Sequence, residues 1–271
     1  MNRHIVVGVD GSAPAMAAVE WAAADARRRG AGLRIVHVCG QCPQGEHCAR
    51  ALAAAGDRAR ELADDVEVST EVLPGSAVKV LIAESGSADT VVLGTRGLGG
   101  FAEMVVGSVS MAVAGHAEGP VVVVHAPSVA PHGRVVVGYD RSENSEAAME
   151  YAIEQARARG VPLDVVFAWQ TPVFSPYMAA YNSLLVDVYQ ADTRAVAESV
   201  ALWREKNPDV EITHEPATGH PVSVLAKAGE SADLVVVGSR GRGGLASTVL
   251  GSVSHGVLHH VTCPVAVVRP R

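Results

Sequence analysis

Aromatic side chains are scarce in this chain: three Trp, three Phe and five Tyr among 271 residues. The hydrophobic share is still 48%, and much of it is alanine and valine. That mixture suits helices packed on buried strands. Cysteine is sparse as well. Cys39, Cys42, Cys48 and Cys263 form no recognisable disulfide framework, which fits a cytoplasmic setting. Long apolar runs are missing. The longest valine-rich stretches are about six residues, against the ~20 needed to cross a bilayer, so no membrane partner is expected. The opening MNRHIVVGVDGS enters a strand-like run without the apolar core of a secretory leader. Positive charge is in deficit, with a formal net charge of −7. An acidic chain is a poor polyanion binder, and nucleic acid is not expected as the main partner.

What the chain has in abundance is repetition. GTRGLGGFAEMVVGSVS (Gly94 to Ser110) returns as GSRGRGGLASTVLGSVS (Gly238 to Ser254), with eleven of seventeen positions identical. The doubling runs through the whole chain. IVVGVDGS (Ile5 to Ser12) returns as VVVGYDRS (Val135 to Ser142), and LRIVHV (Leu33 to Val38) as LDVVFA (Leu163 to Ala168), both 130 positions later. SADTVVLGTRG (Ser87 to Gly97) returns as SADLVVVGSRG (Ser231 to Gly241), and GPVVVVHAP (Gly119 to Pro127) as CPVAVVRP (Cys263 to Pro270), both 144 later. The second copy therefore holds 14 extra residues between Ala168 and a strand near Glu211. Two tandem domains are expected, 1–128 and 132–271, joined at the proline-marked APSVAPHG.

Each copy reads as alternating strand and helix. In the first, strands are expected near 4–10, 33–38, 66–72, 90–94 and 121–125. Their nearly unbroken valine-rich runs mark strands buried on both faces. Ala15, Val19, Ala22, Ala23 and Ala26 recur at helical spacing, as do Met149, Ala152, Ile153 and Ala156. Arg27, Arg28 and Arg29 followed by Gly30 read as a helix C-terminus. The result is an α/β class with parallel sheets covered on both faces. In such sheets ligands sit beyond the carboxyl ends of the strands.

Both glycine loops follow a strand directly and lead into a helix expected to start near Gly107–Ser108 and Gly251–Ser252. A helix N-terminus offers unpaired N–H groups and a positive dipole end, and glycines let an anion approach. Ser108, Ser110, Ser252 and Ser254 add hydroxyls, and Arg96 and Arg240 add charge. This is phosphate-binding chemistry, present twice. The Walker pattern fails, because Gly100 and Gly244 stand where its lysine belongs. A dinucleotide G-x-G-x-x-A does occur at Gly97, Gly99 and Ala102, and at Gly241, Gly243 and Ala246. It follows the fourth strand instead of the first, which argues against NAD(P). The pattern G-x2-G-x9-G-[ST] is met in full by Gly94, Gly97, Gly107 and Ser108, and by Gly238, Gly241, Gly251 and Ser252.

On these residues the chain resembles the universal stress proteins, in their ATP-binding branch, as a tandem pair spanning essentially its whole length. The resemblance implies a Rossmann-like, adenine nucleotide alpha hydrolase-like, five-stranded sheet per half. It implies that the final strands, Val121–Val124 and Val265–Val268, pair across a pseudo-twofold axis, so that one chain imitates a dimer. It matches Asp10 and Asp140 to the family's aspartate after the first strand, and Val38 and Ala168 to the place that meets adenine. The implied nucleotide contacts are Asp10, Val38, Gly94, Arg96, Gly97, Gly107, Ser108, Val109 and Ser110 in the first copy. In the second they are Asp140, Ala168, Gly238, Arg240, Gly241, Gly251, Ser252, Val253 and Ser254. Asp10 and Asp140 double as candidate Mg²⁺ ligands, or as turn formers beside capping Ser12 and Ser142. Around the motif the copies differ: Leu98 against Arg242, and Gly11 against Arg141.

The expected function is an ATP-dependent regulatory protein with one site per half and no assigned catalytic residue. A weak ATPase or autophosphorylating phosphotransferase, and a partner-binding module with vestigial sites, are the alternatives. Further homodimerisation is an open option. CGQCPQGEHC (Cys39 to Cys48) reads first as a loop of reduced thiols, with a Cys39–Cys42 redox pair as the alternative. His255, His259 and His260 read as ordinary residues of the last helix, and no G-x-S-x-G elbow is present. The inserted segment 170–190, with Trp169, holds five of the eleven aromatics. It is expected either to pack on the sheet or to present a contact surface.

Overall fold

The structure, a computed structural model, describes residues 3–40, 46–97, 106–125, 131–170, 182–242 and 250–270. The first half runs β1 (His4–Val9), α1 (Ala13–Arg29), β2 (Gly32–Cys39), α2 (Glu46–Leu62), β3 (Val68–Pro74), α3 (Ala77–Ser85), β4 (Thr90–Gly94), α4 (Ser108–His116), β5 (Val121–Val124). The second half repeats it. It runs β6 (Val135–Gly138), α5 (Glu143–Arg159), β7 (Leu163–Trp169), α6 (Asn182–Lys206), β8 (Ile212–Thr218), then α7 (Pro221–Gly229), β9 (Leu234–Gly238), α8 (Ser252–His260), β10 (Val265–Val268).

All ten strands join one sheet in the order β3-β2-β1-β4-β5-β10-β9-β6-β7-β8. Pairings inside each half are parallel. The seam is antiparallel, with Val265 opposite Val123, Ala266 opposite Val122 and Val267 opposite Val121. The expected pseudo-twofold arrangement is therefore present. Four consecutive valines make β5 buried at every residue. An interior strand covered on both faces needs apolar side chains at odd and even positions alike.

Alternate residues feed two cores. Ile5, Val7, Leu33 and Ile35 meet α1, α2, α5 and α6 on one face. Val6, Val36, Val91 and Val123 meet α3, α4, α7 and α8 on the other. Small residues let α1 sit close to the sheet, with Ala18, Ala22, Ala23 and Ala26 wholly buried. Ser12 caps α1 by accepting the Ala15 N–H at 3.3 Å, and Gly30 ends it at φ +60°. Ser142 and Gly160 do the same for α5. The insertion makes α6 25 residues long, against 17 in α2. No described helix is long and apolar enough to cross a membrane.

Candidate functional site

In each half the chain departs from β1 or β6 to one side and returns through β4 or β9 on the other. That reversal opens a crevice at the carboxyl ends of the strands, and a cavity lies there in both halves. The first, about 480 Å³, is lined by Asp10, Val38, Gly94, Arg96, Gly97, Gly107, Ser108, Val109 and Ser110, every residue singled out from the first copy. The second, about 470 Å³, gathers Asp140, Ala168, Gly238, Arg240, Gly241, Gly251, Ser252, Val253 and Ser254. Each cavity has an apolar wall, Val36, Ala77, Leu81 and Leu93 in the first and Val166, Leu225 and Val237 in the second. Opposite it stands the polar glycine loop.

Backbone hydrogen bonds close that loop. Gly107 N–H donates to the Thr95 carbonyl at 2.6 Å, and Gly251 N–H to that of Ser239 at 2.8 Å. The first helical bonds of α4 and α8 run from Met111 to Gly107 and from His255 to Gly251. The N–H groups of residues 108–110 and 252–254 therefore have no intrahelical acceptor, the ordinary condition of a first turn. The four loop serines divide into two kinds. Ser108 and Ser252 are exposed at the cavity rim. Ser110 and Ser254 are buried, and their hydroxyls donate inward to the Gly94 carbonyl at 2.7 Å and the Ser239 carbonyl at 2.8 Å. Sequence reasoning made all four phosphate donors. The structure gives two of them the task of fastening helix to loop.

Each aspartate braces its loop. Asp10 Oδ1 accepts the Ser12 N–H at 3.0 Å, while Ser12 Oγ donates to the Arg96 carbonyl at 3.2 Å. Asp140 Oδ1 accepts Ser142 N–H at 3.0 Å and Ser142 Oγ at 2.6 Å, and its Oδ2 accepts the Arg242 N–H at 3.0 Å. The turn-forming role is thus realised. A carboxylate offers about four acceptor positions, so it leaves room for a further partner. No group of three or more metal-ligating side chains occurs among the described residues.

The second cavity carries more positive charge. Arg96 is exposed, whereas Arg240 is half-buried and its Nε has no hydrogen-bond partner among the described residues. Burial, then the nearby Arg240 charge, pushes the Arg269 pKa down. Arg242 also reaches α6, where its Nη1 lies 3.5 Å from Asp192. Arg141 takes φ +64°, the left-handed conformation that Gly11 takes at φ +88° in the first copy.

Sequence reasoning missed a cluster behind this cavity. Tyr139 Oη donates to Glu146 and accepts from Ser199 Oγ at 2.5 Å, and Trp203 Nε1 donates to Glu146 at 3.1 Å. Burial, then the bond to Glu146, pushes the Tyr139 pKa up to about 12. The available signal was the repeat itself, since Val9 and Met16 occupy the matching positions of the first copy. In the inserted segment Trp169 meets Tyr189 edge-on at 5.5 Å, while 171–181 lie outside the described residues. Cys42 also lies outside them.

Fold and cavities together define the class: a pseudo-dimeric α/β protein with one glycine-loop cavity per half. The family model described as the universal stress protein family matches residues 1–125 and again 132–269, and the chain belongs to that family. A universal stress protein of Mycolicibacterium smegmatis is 35% identical over 292 residues, covering 98% of this chain and 97% of the relative. One from Mycobacterium tuberculosis is 37% identical over 290 residues, covering 99% and 97%. Among solved structures, a universal stress protein of Archaeoglobus fulgidus superposes with a TM-score of 0.73 at 21% identity, covering 100% of this chain and 97% of that one.

Proposed function

We propose that this universal stress protein binds ATP in both halves and acts as a nucleotide-dependent regulator in the cytoplasm, with 1–128 and 132–271 as its two units. The observation that carries the reading is the pair of cavities. Every motif residue of each copy lines one of them, beneath the open first turn of α4 or α8. Phosphates would take the N–H groups of 108–110 and 252–254, helped by the helix dipole and by Arg96 or Arg240. The apolar wall beside Val38 and Ala168 suits an adenine ring.

Magnesium fits as an accompanying ion. Mg²⁺ usually takes one or two carboxylates and completes its shell with phosphate oxygens and water. Asp10 and Asp140 supply one carboxylate per cavity, already oriented by the following serine. The protein's own part is to hold the phosphates against the loop and the base against the apolar wall.

Calorimetric titration with ATP and with adenosine, both with magnesium, tests this reading. ATP should bind at least about tenfold more tightly, the ratio that ~1.4 kcal/mol produces. Equal affinities, or no heat with either, would remove the phosphate role of the glycine loops.

A further inference from the structure

Cys39 and Cys48 bring their sulfur atoms within 3.3 Å of one another. Cys39 is the last residue of β2, and Cys48 stands in the first turn of α2. The structure holds them as thiols. Cys39 is partly exposed, whereas Cys48 is 7% exposed. The Cys39 backbone is fixed in the sheet, paired with Pro74 and accepting the Gly75 N–H at 3.2 Å. A disulfide needs its sulfurs about 2.05 Å apart, so closure asks for roughly 1.2 Å of approach. Side-chain rotation in the first turn of a helix supplies a movement of that size.

We propose that Cys39 and Cys48 form a reversible disulfide on exposure to hydrogen peroxide, and that this modification belongs to the first half alone. The chemistry balances in two steps. The Cys39 thiolate attacks a peroxide oxygen; an S–O bond forms, the O–O bond breaks, and the leaving hydroxide takes a proton to become water. Cys39 is then a sulfenic acid. The Cys48 thiol attacks the Cys39 sulfur; the S–S bond forms, the S–O bond breaks, and the departing hydroxide leaves as water with the Cys48 proton. Two thiols are oxidised and one peroxide is reduced to two waters. Exposure sets the order: Cys39 meets the oxidant, and the more buried Cys48 resolves the intermediate.

The position gives the bond a consequence. Cys39 directly follows Val38, which lines the first cavity, so the bond would fasten the start of α2 to the strand end at that rim. The second half has Trp169 at the position matching Cys39, so its cavity carries no such device. Cys263 serves as an internal control, because burial pushes its thiol pKa up to about 12 and leaves little thiolate to react.

The test treats the full chain with hydrogen peroxide, removes the oxidant, unfolds the chain in guanidinium chloride with N-ethylmaleimide to block every remaining thiol, and maps linked peptides by mass spectrometry. The expected product is a Cys39–Cys48 peptide pair, lighter by two hydrogens and released by dithiothreitol. It should form in the wild type and in Cys42→Ser, and be absent from Cys48→Ser. Cys263 should remain alkylatable throughout. A Cys39–Cys42 link in the wild type, sulfinic acid at Cys39 in place of a link, or full alkylation of both Cys39 and Cys48 would overturn the proposal. The Cys42→Ser arm keeps the test decisive even if Cys48→Ser folds poorly.

Discussion

For a single residue, the closest constraint on the loop glycines comes from the protein's own packing. A Cβ on Gly94 would stand 2.5 Å from the Pro14 carbonyl carbon, and one on Gly238 would stand 2.7 Å from that of Asn144. These glycines let α1 and α5 start against the loop. A Cβ on Gly241 would come within 2.6 Å of Asp140 Oδ2, and one on Gly97 would overlap Asp10 Oδ2. The two kinds predict different outcomes. Gly94→Ala and Gly238→Ala press on helix backbone, and each should cost about 1–3 kcal/mol, visible as a lower Tm. Gly241→Ala presses on a movable carboxylate. It should keep a Tm closer to wild type while weakening ATP at the second cavity. A Gly94→Ala protein that melts like wild type would contradict this packing account. The spacing of these glycines was plain in the sequence. Their neighbours were not, because Pro14 and Asp10 reach the loop through tertiary folding. The inward-turned hydroxyls of Ser110 and Ser254 were hidden for the same reason.

At the scale of elements, the repeat placed nearly everything. Valine-rich runs located β1, β4 and β5 to within a residue or so, since a strand buried on both faces leaves an unbroken apolar string. β3 was expected from residue 66 and begins at Val68. It is an edge strand with Ser69, Thr70 and Glu71 exposed, so its apolar pattern is weak. The attachment of α6 was not legible, because its partners lie far apart in sequence. Glu146 receives Tyr139 from β6's end and Trp203 from α6. Glu146→Ala would strand the Trp203 Nε1–H, at a cost of about 1–3 kcal/mol if it stays buried, while the Tyr139 hydroxyl can turn to Ser199 Oγ. Hydrogen exchange should then quicken across α6 while α2 keeps its wild-type rate. Equal exchange of α6 in the two proteins would show that its other contacts hold it.

At the scale of the molecule, the seam joins halves that match in shape and differ in charge. Asp25 is wholly buried and accepts from Gln155 Nε2 at 3.2 Å and from Arg159 Nη1 at 3.4 Å, with Arg28 and Arg29 each at 3.5 Å. Arg29 lies over the Tyr151 ring and Arg159 over Trp21. The offset of 130 pairs Trp21 with Tyr151, Asp25 with Gln155, and Arg29 with Arg159. Gln155 in place of an acid breaks the symmetry at the centre, and the more exposed Glu154 of α5 reaches Arg29 from the other half at 3.5 Å. Asp25→Ala removes the counter-charge of several part-buried guanidinium groups and should cost about 3–5 kcal/mol in urea unfolding. A loss below ~1 kcal/mol would mean that solvent already screens the cluster. The same seam is pinned at its rim, where His125 Nε2–H donates to the Leu258 carbonyl at 3.0 Å and Arg269 donates to that of Gly115. Burial holds the His125 pKa below its ordinary 6.5, against the raising effect of that bond. The unfolded chain then binds the proton first. The stability from this residue is complete above pH 6.5 and is lost as pH falls from there toward the folded pKa. His125→Gln should flatten that slope in unfolding measured across the window.

The proposed function requires two nucleotide sites in one folded chain, and counting bound nucleotide checks that number. Freshly purified protein, examined by native mass spectrometry and by chromatography after denaturation, should carry or accept two ATP per chain. Gly241→Ala should reduce the second equivalent and spare the first. A chain that neither retains nucleotide nor takes it up from ATP and magnesium would contradict the account.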